Sequence, residues 1–167
     1  SGYLPLLCSL ARQLAGLGFV PRILNHEGAA DAALCESLRA ATGGAEVITE
    51  TDPRALKGII GAAGLVVCSR YHGCVSALAQ GVPCLATSWS HKYAALFDEF
   101  GVAAYLLNTC DGTAATIALQ RLASDRDSVR KLLSSRRAAL ETRIEAMWSR
   151  VLAIVGAFAG AYLLLFY

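Results

Sequence analysis

The sequence predicts an α/β fold, a Rossmann-like parallel sheet with helices on both faces, followed by helices alone. Three observations carry this. Short apolar runs alternate with helical stripes from Tyr3 to Leu107, joined by brief Gly- and Pro-marked connections. The run Leu65–Ser69 shows no polar alternation, as expected of a strand covered on both faces. The chain has 167 residues, 55% hydrophobic and 17% charged, enough for a sizeable core and unlike a disordered chain.

The elements follow in order. Residues 4, 7, 10, 14 and 17 form a helical stripe over Tyr3–Leu17, ended by Gly16 and Gly18. Phe19–Asn25 is a short strand in which Pro21 implies a late start or an edge. Asp31–Ala41 is a helix closed by Gly43-Gly44, and Glu46–Thr49 a short strand. Asp52 can cap a helix that has Pro53 in its first position and runs to Ala63. After the strand at 65–69 come a helix over His72–Gln80 and a strand over Pro83–Ser88. A helix over Lys92–Phe100 and a last strand over Ala103–Leu107 complete the alternation.

Beyond Asn108 only helices are expected, over Thr113–Ala123 and Ser128–Val155. The predicted division is therefore a ligand-binding domain over 1–125 and a helical extension over 126–167. The last 17 residues, Val151–Tyr167, carry no charge and include Gly156 and Gly160 at GxxxG spacing. Seventeen residues is the short end of a membrane span. Membrane contact through 151–167, a core helix and a non-native terminal segment all fit this stretch. The chain opens inside a helix without an initiator Met, as a piece of a longer protein would.

The net charge of +2 gives no argument for nucleic acid. No Asp or Glu occurs from Pro53 through Phe97, whereas Arg54, Lys57, Arg70, Lys92, His72 and His91 do. That window suits a small anion, although Arg54 and Lys57 read as solvated helix residues. None of the six cysteines forms a C-x-x-C pair, and most lie among small apolar residues. A reducing, cytoplasmic setting is expected, with membrane association if the tail is an anchor. Cys68, His72 and Cys74 suggest a metal only weakly, because no fourth ligand has suitable spacing; none is expected.

Ligands of parallel sheets bind outside the carboxyl ends of the strands. Asn25, His26, Ser69, Arg70, His72, Ser88 and Lys92 fall at or just past those ends. Arg70 offers a planar fork for carboxylate or phosphate. His72 and Gly73 open a helix whose free N–H groups and dipole favour an anion, and Gly73 admits close approach to the backbone. Lys92 can reach the same crevice from the next unit. The plainer reading makes Arg70 a surface residue and His72 a helix cap; their joint position in an acid-free window argues against it.

The stretch 64–101 resembles the signature region of the polysaccharide pyruvyl transferase family. The matching residues are Ser69, Arg70, His72 and Gly73, then Gly81 and Pro83, then Lys92 twenty residues past the histidine. A weaker likeness reaches back to Phe19 and includes Asp31. The resemblance implies the C-terminal, donor-binding half of a glycosyltransferase-B-like pair of Rossmann-like domains. It also implies transfer of the pyruvyl group of phosphoenolpyruvate to sugar hydroxyls of a glycan, forming a ketal and releasing phosphate, in cell-envelope polysaccharide synthesis. By resemblance, Arg70 binds donor carboxylate or phosphate, with Ser69 and Gly73 beside it. His72 holds phosphate or donates a proton, and Lys92 offsets developing negative charge. No cofactor beyond the donor substrate is implied. The partners implied are a sugar acceptor and an N-terminal domain absent from this chain, so the chain alone is expected to be inactive. His91 and the apolar tail depart from the family pattern.

Two other readings stand beside this one. A nucleotide-sugar domain of the same broad fold shares the serine-arginine run and the glycine-proline turn, but usually carries an acid a few positions later, which 53–97 lacks. A truncated, non-catalytic interaction module is the third.

Overall fold

The computed structural model describes residues 2–26, 28–88, 90–107 and 111–165, with side chains as far as residue 156. Helices and strands alternate as α1 (Tyr3–Gly16), β1 (Arg22–Asn25), α2 (Ala29–Ala41), β2 (Glu46–Thr49), α3 (Pro53–Gly61) and β3 (Val66–Cys68). There follow α4 (Tyr71–Ala79), β4 (Cys84–Thr87), α5 (His91–Glu99), a 3-10 turn (Ala103–Tyr105) and β5 (Leu106–Leu107). Two helices, α6 (Gly112–Ser124) and α7 (Arg126–Leu165), end the chain.

The α/β class with parallel strands flanked by helices is as expected. The strands, however, form two sheets. β1 pairs with β2 from Arg22–Glu46 to Asn25–Thr49. β3, β4 and β5 form the second, with Val66 opposite Cys84 and Ala86 opposite Leu106. No ladder joins β1 to β3 among the described residues. The ring of Phe19, just before β1, packs on Gly64, just before β3. The chains meet there through a side chain, whereas a ladder needs backbones about 4.8 Å apart.

Local chemistry sets several boundaries. Pro21 has no N–H, and β1 begins one residue later. Asp52 caps α3 by accepting from the N–H groups of Arg54 (2.7 Å) and Ala55 (3.1 Å), with Pro53 at the first helical position. Gly81 takes φ +73°, where a side chain would be strained, and turns the chain from α4 into β4. The expected strand over Ala103–Leu107 is shorter: a 3-10 turn, closed by the Tyr105 N–H on the Val102 carbonyl, occupies 103–105 and leaves two strand residues. The long helix exceeds its expected bounds, running without a break from Arg126 to Leu165.

The core surrounds β4. Cys84, Leu85 and Ala86 are buried, as are Leu78 of α4, Phe97 of α5, Leu119 and Leu122 of α6 and Leu133 of α7. Truncating a fully buried leucine of this kind costs about 2–5 kcal/mol. β1 and β2 are less enclosed, with most residues half-buried or exposed. This packing fixes the β3–β4–β5 ends, and with them the starts of α4 and α5.

Among the described residues, no helix is long and apolar enough to cross a membrane. The expectation for 151–167 rests largely on side chains outside the described ones, which end at residue 156.

Candidate functional site

β3 ends at Cys68 and α4 starts at Tyr71, so Ser69 and Arg70 form a two-residue turn at the strand's carboxyl end. Cys68 holds this turn. Its thiol donates to the Arg70 carbonyl and accepts from the Arg70 N–H, both at 3.2 Å. Arg70 is the N-cap residue of α4 and makes no side-chain cap bond, which leaves first-turn N–H groups of the helix without that partner. Ser90 stands likewise before α5. By contrast, carboxylates cap α3 and α6.

The Arg70 side chain turns toward α2. Its Nη2 donates to both carboxylate oxygens of Asp31, at 2.9 and 2.8 Å. The acid-free window of the sequence is therefore not acid-free in space: Asp31, in the first turn of α2, supplies a carboxylate to it. Sequence reading placed Asp31 only in the weaker likeness around the first strand. Its position just past a strand end was the available signal.

Lys92 and His72 gather on Tyr71. The Lys92 ammonium lies 4.7 Å from the centroid of the Tyr71 ring and 5.8 Å from that of Tyr93. The Tyr71 ring lies edge-on to His72 at 6.0 Å and to Tyr93 at 5.2 Å. A cation over an aromatic face is held by the ring quadrupole. The hydroxyl of buried Tyr93 donates to the Ser69 carbonyl at 2.8 Å and so ties the start of α5 to the β3–α4 turn. Burial is the main cause of the upward shift of the Tyr93 phenol. Both tyrosines were missed in the sequence, although each is adjacent to a predicted site residue.

The predicted residues thus form two neighbouring groups. Ser69, Arg70 and Gly73 line a cleft of about 830 Å³ between β1 and β3, together with His26 and Asp31. Its walls are largely apolar. His72 and Lys92 are exposed beyond the cleft lining, on Tyr71. The two groups meet in the backbone of residues 70–72. His91 is the exposed first residue of α5.

Gly73 also has a reason within the fold. A Cβ there would fall 2.6 Å from the Cys68 Sγ, so the glycine makes room for a thiol of the same chain. The Cys68 thiol is pushed strongly up, first by hydrogen bonding with Cys74 and then by burial. Cys74 is pushed up too: its bond with Cys68 works the other way, but the bond with Cys84 and burial outweigh it. These thiols behave as small hydrophobes. No group of three potential metal ligands assembles among the described residues. Asn25, at the end of β1, is buried; its Nδ2 donates to the Gly28 carbonyl at 3.0 Å, and its Oδ1 has no partner among the described residues.

No curated protein matches the chain. Among solved structures, a mutant O-GlcNAc transferase from Thermobaculum terrenum shares the fold, with a TM-score of 0.53 at 18% identity. The likeness covers 90% of this chain and 34% of that one, so this chain spans about a third of the transferase. The family model for polysaccharide pyruvyl transferase matches residues 12–91, a segment that includes Asp31, Arg70 and His72 and ends one residue before Lys92. Over residues 12–91, just under half of its length, the chain is similar to the polysaccharide pyruvyl transferase family.

Proposed function

We propose that this chain is the donor-binding part of a pyruvyl transferase and that it holds phosphoenolpyruvate at the starts of α4 and α5. The observation that carries this is the placement of Lys92 over Tyr71, between Arg70 and His72 in sequence, beside a helix start without a side-chain cap. Phosphoenolpyruvate bears a carboxylate and a phosphate, and the two cationic groups of the site divide naturally between them. Arg70 takes the carboxylate in competition with Asp31. Lys92, His72 and the α4 N–H groups take the phosphate.

The chemistry then needs a proton and a stabilised leaving group. Protonating the methylene carbon makes the central carbon electrophilic. An acceptor hydroxyl adds there and loses its proton. Phosphate departs with its bridging oxygen, and a second hydroxyl closes the ketal and loses its own proton. His72 or Lys92 supplies the first proton, and the remaining cation offsets charge on departing phosphate. The acceptor sugar is held by chain outside this segment, and this chain alone gives no turnover.

Thermal melting tests the reading. At a hundredfold excess over Kd, a ligand bound only by the native state adds about 2.7 kcal/mol. For a chain of this size, each kcal/mol raises Tm by about 2–4 °C. Phosphoenolpyruvate should therefore raise Tm by several degrees, and Arg70→Ala and Lys92→Ala should each remove most of the rise. The approach of Asp31 to Arg70 gives one argument for a nucleotide-sugar ligand, whose ribose hydroxyls an acid can hold. A rise with a UDP-sugar and none with phosphoenolpyruvate would replace the proposal by that reading.

A further inference from the structure

We infer that the distal part of α7 docks on an anionic bilayer and lies along its surface. From Ile144 to Val155, seven large apolar side chains stand 38–66% exposed: Ile144, Met147, Trp148, Val151, Leu152, Ile154 and Val155. At 100° per residue they cover an arc of about 160°. That is broader than the narrow seam of a two-stranded coil, and it is the breadth of a helix seated in a lipid interface. The apolar surface begins seven residues before the uncharged stretch that starts at Val151.

The charges select the partner. Arg136, Arg143 and Arg150 recur every seven residues and form one file along the border of the arc. All three are exposed. Arg143 also reaches Glu99 at 2.8 Å, which orients the file relative to α5. From Lys131 to Arg150 there are five basic residues and two acidic ones. An apolar arc with arginines along one border, Glu145 on the other and a tryptophan within it matches the acyl boundary and the anionic headgroups above it. The inference does not depend on the donor site.

Trp148 provides the readout. In a Trp89→Phe background it is the only tryptophan. The full chain should float with vesicles of phosphatidylcholine mixed with phosphatidylglycerol, and Trp148 emission should shift to the blue. Pure phosphatidylcholine vesicles should retain at least tenfold less. Arg150→Gln should weaken binding about fivefold, and Ile144→Asp with Val151→Asp should abolish it. None of these side chains belongs to the core, so the variants should melt with the parent. Three results would overturn the inference: equal binding to neutral vesicles, an unshifted Trp148 with the chain left unbound, or burial of Trp148 in a lipid-independent dimer that ignores vesicles.

Discussion

Gly73 and Cys68 occupy one another's space at the end of β3. Replacing Gly73 by Ala forces a Cβ against the sulfur, and overpacking of this kind costs about 1–3 kcal/mol. Urea denaturation should show that loss, and Cys68→Ala in the same chain should return much of it, since contacting residues couple. Tyr93→Phe should cost about 0.5–1.5 kcal/mol by leaving the Ser69 carbonyl without its donor. The thiols give a pH test. Unfolded cysteines ionise around pH 9, whereas Cys68 and Cys74 stay protonated in the fold. Their folded values are raised, so their contribution is complete below that pH and is lost as pH rises through and beyond it. Stability measured by urea should fall above about pH 9, and Cys68→Ala should flatten the fall. Of these residues, Ser69, Arg70, His72 and Gly73 were legible as a motif. Tyr71 and Tyr93 were not, because the bond from Tyr93 to Ser69 spans 24 residues and exists only once β4 has packed beside β3.

Among elements, the helix starts were the most legible. Asp52-Pro53 has only one good use, as cap and first position, and the structure employs both. Asp52→Ala should cost about 1 kcal/mol by removing a cap that holds two N–H groups. Strand 46–49 was read to the residue, while Ala103–Leu107 was overextended. A run of apolar letters after a glycine does not distinguish a strand from a 3-10 turn that buries Tyr105. The far side of α7 was readable as apolar, but not its exposure, which depends on where the domain beneath it stops.

Across the whole molecule, stability is expected to be uneven. The β3–β4–β5 sheet is enclosed by α4, α5, α6 and α7, whereas β1–β2 has half-buried faces and no ladder to β3 among the described residues. Hydrogen exchange should find the amides of Leu85 and Ala86 slowest, and those of Ile23 and Val47 faster by orders of magnitude. Equal protection in both sheets would contradict this picture. The division into two sheets was not legible in the sequence. Alternating elements specify parallel strands and their order, but which edges pair depends on side chains such as Phe19 that stand between them.

The Arg70–Asp31 pair spans this division, from the start of α4 to the start of α2. It makes one guanidinium serve two masters, a mechanical tie and a field of fixed sign. A charge swap, Asp31→Arg with Arg70→Asp, separates them. The exchanged chain should recover the melting temperature that either single change loses, yet show no response to phosphoenolpyruvate. On the donor role proposed for Arg70, relatives should rarely show these two residues exchanged.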